Sequence, residues 1–185
     1  MTSHRATAAG RDWGMESLTA LVRFIVETHH VFTLRAIVSL PPLATQVRTV
    51  HAGELPESQR VEALAYRLAG DLAPHMQKEE QILFPYIESM DAVAGRGTRR
   101  TESCFGSVKN PIRMMMAEHD TAEGILAELR ETTKGYALPP GASEPLKALY
   151  AGLAVLEEDL HRHIRLENDV LFPGAIRLEE AGPRS

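Results

Sequence analysis

The segment His75-Met-Gln-Lys-Glu79-Glu-Gln-Ile-Leu83-Phe84-Pro85 returns as His163-Ile-Arg-Leu-Glu167-Asn-Asp-Val-Leu171-Phe172-Pro173, with five identical residues all displaced by 88 positions. Residues four apart stack on one face of a helix, so each copy aims an imidazole and a carboxylate at one spot. Two such spots facing each other supply two His and two Glu. That donor set suits a pair of iron ions, bridged by an oxo or hydroxo group, better than a single zinc.

Four helices must position these groups. After a polar tail over residues 1–14, the first helix is expected from Met15, on the apolar stripe Leu18, Leu21, Val22, Ile25, Phe32 and Ala36. Pro41 and Pro42 should interrupt or kink it before it resumes through Leu43, Val47 and Val50. The second helix is expected over residues 57–89, on Val61, Leu64, Leu68, Leu72, Leu83 and Tyr86, with a kink at Pro74. Residues 90–109 have no helical period and read as a mobile loop. Asn110-Pro111 opens a third helix running to about Lys134, and Ser143 caps a fourth that carries Leu146, Leu149, Leu153, Leu156, Leu160, Ile164 and Leu171. Residues 179–185 read as a second tail. The fold class is all-α, an up-down-up-down four-helix bundle over residues 15–178.

Depth along such a bundle follows from the rise of ~1.5 Å per residue, counted from the nearest turn. Glu79 and His119 fall at similar depth beside the turn between the second and third helices. His75 matches His30, and His163 matches His119. One layer of the core therefore collects His30, His75, Glu79, His119, His163 and Glu167. His51 would lie ~31 Å from His30 on a continuous helix and is left out. Helical phase alone prefers His29 to His30, so the first helix's ligand stays open on this ground.

A single His on an apolar face is usually a core histidine bonded to a carbonyl. Buried Glu is harder to dismiss, because desolvating a carboxylate costs several kcal/mol unless something compensates. Glu79 and Glu167, each four residues after a His and central in an apolar stripe, ask for metal. Glu80 and Glu158 lie off the stripe centres and read as solvated. Glu123 sits at a stripe edge, Met114 to Met116 read as ordinary core, and Cys104 reads as incidental. Glu118 and Asp120 flank His119, where they would orient ligands, admit protons or simply face water.

Composition excludes other classes. The net charge is −5, and the one dense basic cluster, Arg96 with Arg99 and Arg100, lies in a Gly-containing stretch, so nucleic acid is not expected as a partner. No apolar run approaches the ~18 residues of a membrane span, and no signal-peptide core opens the chain; a cytoplasmic protein is expected. One cysteine excludes an internal disulfide and a cysteine-only metal site.

The two His-xxx-Glu-xxx-Leu-Phe-Pro segments, Glu118-His119-Asp120 and His29-His30 together resemble the hemerythrin-like domain of the Repair of Iron Centres family. Pro111-Ile-Arg, Leu138-Pro-Pro and Asp159-Leu-His-Arg-His163-Ile-Arg-Leu-Glu167-Asn resemble that family's stretches too. The resemblance covers residues 15–178. It implies His30 as the first helix's ligand, Glu79 and Glu167 as bridges between two irons, and a role in restoring iron-sulfur clusters after nitric oxide or oxidative stress. It also implies a short N-terminal domain with a cysteine pair, which is expected to be absent here, since only about 14 residues precede the first helix. Oxygen-carrying hemerythrins place His-xxx-His on their third helix, where this chain has His119-xxx-Glu123. Fewer protein ligands leave more open metal positions.

The expected function is therefore that of a non-haem di-iron protein which binds or reduces nitric oxide, as a reductase-type activity, or gives up iron to damaged iron-sulfur proteins. The alternative is a module that binds or senses oxygen or nitric oxide reversibly, without turnover. A metal-free helical protein is the third reading.

Overall fold

The computed structural model describes residues 7–8, 11–51, 53–94 and 105–181. Apart from a ladder of Thr7–Ala8 (β1) against Arg11–Asp12 (β2), the described chain is helical, in the expected four-helix-bundle class. The first stretch is α1 (Leu18–Phe24), a π-helical segment Ile25–His30, and α2 (Val31–Val50). The second is α3 (Ser58–Lys78), a π segment Glu79–Leu83, and α4 (Phe84–Val93). The third is α5 (Lys109–Thr132). The fourth is α6 (Glu144–Leu166), a π segment Glu167–Leu171, and α7 (Phe172–Ala181).

Two of the wide turns have a local cause written in the repeat. Pro85 and Pro173 offer no N–H, and each ring crowds the carbonyl four residues back. The backbone answers by opening one turn to i→i+5 bonding: the N–H of Phe84 reaches the carbonyl of Glu79, and that of Phe172 reaches Glu167. Each Glu-xxx-Leu-Phe-Pro is thus a π turn that begins at its carboxylate.

The chain divides into two compact units. Met1–His30, Met76–Ala117 and Arg162–Ser185 form the first; Val31–His75 and Glu118–His161 form the second. The first unit's core gathers Trp13, Leu21, Ile25, Leu83, Phe84, Ile87, Met90, Val108, Ile112, Met115 and Phe172. Trp13 corrects the expected polar tail: it is 2% exposed and lies 4.6 Å from the ring of Phe24, so ordered packing begins before residue 15. Ser17 caps α1 through the N–H of Ala20, and Asp91 accepts bonds from both the N–H and the hydroxyl of Thr19. The expected loop over 90–109 is ordered at both ends. α4 continues to Val93, Val108 is buried, and Glu179 accepts from the Val108 N–H and the Ser107 hydroxyl. The middle of that loop, with Cys104 and the basic cluster, lies outside the described residues, as do the last residues of the C-terminal tail.

In the second unit α2 runs through Pro41 and Pro42 without the expected interruption. Leu40, Ala44, Val47, Leu64, Leu68, Leu126, Leu129, Leu149, Leu153 and Leu156 are buried. Sequence reading missed Glu157, which is 3% exposed and takes two bonds of 2.8 Å from the Arg130 guanidinium. Met114 and Met116 are exposed, and only Met115 of that trio is core. Among the described residues no helix is long and apolar enough to cross a membrane.

Candidate metal centre

In the first unit, His30, Glu79, His163 and Glu167 each offer one ligand atom, all within 4.8 Å of one another, and all four residues are buried. His30 Nε2 lies 3.2 Å from His163 Nε2 and 3.4 Å from Glu79 Oε2; His163 Nε2 lies 3.1 Å from Glu167 Oε1. Both carboxylates are 0% exposed. The chemistry of the donors fits a metal of borderline hardness such as iron, with two imidazole nitrogens and two carboxylates converging in a dry place.

His30 reaches this group because the first helix widens over Ile25–His30. A π turn inserts one extra residue, which rotates everything after it relative to an ideal helix. Extrapolated α-helical phase therefore points at His29, while the real backbone delivers His30. His29 instead stacks on the His163 ring, 5.6 Å away and 11° from parallel, and meets the Phe24 ring edge-to-face at 5.6 Å. Phe84 lies over His30 at 5.6 Å and 21°.

An ionised carboxylate is an acceptor only, so a ring nitrogen beside one carries the proton. Glu80 Oε1 lies 2.7 Å from His30 Nδ1. The neutral ring then keeps its lone pair on Nε2, facing the group. Glu80 is not the bystander that its place off the stripe suggested. The signal that could have found it is adjacency: with Glu79 turned inward, the next carboxylate lies a step around the same helix. In the metal-free chain His30 is held above the usual imidazole range. Burial opposes this and is the largest influence. The bond to Glu79 and its charge, the bond to Glu80 and the charge of Glu167 together outweigh it.

The second unit holds a matching pair. His75 Nε2 lies 3.1 Å from His119 Nε2, both residues are buried, and Glu118 Oε2 lies 2.8 Å from His75 Nδ1. Of the two residues flanking His119, Glu118 thus meets the His75 ring, while Asp120 is exposed. Glu123 is engaged by His161 Nε2 at 3.0 Å. His51 bonds the Ser143 hydroxyl at 2.7 Å and lies 3.5 Å from Glu54, in the turn between α2 and α3.

The sequence matches the family described as the Hemerythrin HHE cation binding domain over residues 20–175. It is 36% identical to the iron-sulfur cluster repair protein YtfE of Yersinia pseudotuberculosis serotype IB (strain PB1/+), over 92% of this chain and 72% of that protein. The YtfE protein of Yersinia pestis (strain Pestoides F) has the same identity and coverage. Matches of that length take in all four helical stretches and both copies of the His–Glu repeat: the chain belongs to the hemerythrin-like Repair of Iron Centres family.

Proposed function

We propose that the chain is a non-haem di-iron protein of the nitric oxide and oxidative stress response, which serves iron-sulfur cluster repair. His30, Glu79, His163 and Glu167 would hold iron in the first unit, and His75 and His119 would hold iron in the second. The carrying observation is the buried group of two imidazoles and two carboxylates, whose ligand atoms converge within 4.8 Å of one another, a donor set suited to metal. When bound, the irons would supply positions open to a diatomic molecule and exchange between the ferrous and ferric states.

The protein's part is to bind and to shield. In the first unit two imidazoles and two carboxylates would hold iron with few protein ligands, which would leave room for nitric oxide and keep the iron exchangeable. Leu83, Phe84, Leu171 and Phe172 are buried residues that follow the two carboxylates and keep bulk water from their side of the site. Glu80 and Glu118, each at the back of one His, set which nitrogen is free. The names of the relatives support a destination for the chemistry, damaged iron-sulfur proteins. Metal analysis with Mössbauer spectroscopy of protein made under iron-replete conditions tests the centre: about two coupled irons per chain are expected. One zinc and no iron would sink it. Anaerobic nitric oxide then separates turnover, which yields nitrous oxide, from a stable nitrosyl adduct of a binding module.

A further inference from the structure

Glu79 and Glu80 are neighbours with opposite fates. Glu79 is 0% exposed, whereas the Glu80 side chain is 39% exposed and borders an open cleft of about 250 Å³ that Val26, Phe84 and Glu88 also line. From that rim Glu80 reaches inward to Nδ1 of His30, whose own side chain is 1% exposed. The ring is therefore gripped at two places, by the carboxylate at Nδ1 and by the face of Phe84. His163 has a stacked ring, His29, but not the carboxylate: among the described residues its Nδ1 has no hydrogen-bond partner.

A neutral imidazole can carry its proton on either nitrogen, and only one choice leaves Nε2 as a donor to metal. We propose that Glu80 is the positioning residue of His30: it fixes the ring angle and the Nδ1–H tautomer, and thereby sets how tightly the metal position of His30, Glu79, His163 and Glu167 is filled. The inference rests on the iron-site reading above. Because Glu80 stands at the edge of water, it does this without being buried itself, and it can be replaced without opening a cavity in the core.

The test compares the full chain with Glu80→Leu, Glu80→Gln and Glu88→Leu. Fe(II) binding is measured anaerobically by competition with a chromophoric chelator. Loss of an outer partner to a metal-bound His typically weakens binding 10–100-fold. Glu80→Leu should show that loss, Glu80→Gln should recover part of it through its amide oxygen, and Glu88→Leu, on the same cleft but not on the ring, should bind as the parent does. In metal-free protein, proton-nitrogen NMR should show a hydrogen-bonded Nδ1–H on His30 that Glu80→Leu removes. Binding by Glu80→Leu within threefold of the parent, or equal loss in Glu88→Leu, overturns the inference while leaving the iron centre standing. A parent chain that binds no Fe(II) overturns the iron-site reading and this inference with it; the NMR signal then reports whether the Glu80 contact itself exists.

Discussion

Replacing Glu167 by Gln should move stability in opposite directions with and without metal. Glu167 is fully buried, and its ligand oxygen lies no more than 4.8 Å from that of Glu79. Two carboxylate charges at that separation repel by about 3.5 kcal/mol at an effective dielectric of ~20. Escape by protonation is no cheaper, since holding a Glu neutral at pH 7 costs about 3.7 kcal/mol from its ordinary pKa. Part of this strain is offset by attraction to His30, whose raised pKa records it. Gln keeps the volume and removes one charge, so metal-free Glu167→Gln should be more stable than the parent by ~1–3 kcal/mol. For a chain of this size that is a rise in melting temperature of roughly 3–10 °C. Fe(II) at one hundred times its dissociation constant should stabilise the parent by about 2.7 kcal/mol per site, and the variant far less. The assay is anaerobic thermal unfolding by circular dichroism at pH 8, with and without Fe(II). The two proteins should exchange order on adding metal. A variant less stable than the parent by the same margin in both conditions would refute the reasoning and make Glu167 a purely structural residue.

Three further outcomes follow. Iron retained after dialysis against a chelator should fall most in His30→Ala, less in His29→Ala and not in His51→Ala; greater loss in His29→Ala would mean that the π turn does not set the ligand. Trp13→Ala should destabilise the fold by ~3–5 kcal/mol in chemical denaturation, as for any large buried ring, whereas a true tail residue would cost almost nothing. Burial, with the charge of Glu57 adding to it, pushes the Tyr150 hydroxyl up to about 12. A raised folded pKa means stability fully present below the unfolded value of ~10 and lost as pH climbs toward 12, so Tyr150→Phe should flatten the alkaline end of the stability curve; an unchanged curve would discard that account.

The repeat, the apolar stripes and the burial of two Glu are local or periodic properties. The helical class, the four stretches and the inward side of Glu79 and Glu167 were accordingly legible in the chain alone, because a helix converts spacing into direction by a fixed rule. What sequence could not decide depends on departures from that rule and on meetings between distant segments. A π turn over Ile25–His30 changes phase by one residue, and periodicity cannot see it. Glu80 and Glu118 look solvated on their own helices and acquire a role only where another helix brings an imidazole to them, at sequence separations of 50 and 43 residues. Trp13 stands alone before the first helical stripe, so nothing local announces that it packs on Phe24. Glu157 is held inside by Arg130, a partner on another helix. For Glu80, Glu118, Trp13 and Glu157 the deciding energy is a contact with a partner that local pattern does not announce, which only the tertiary structure can supply.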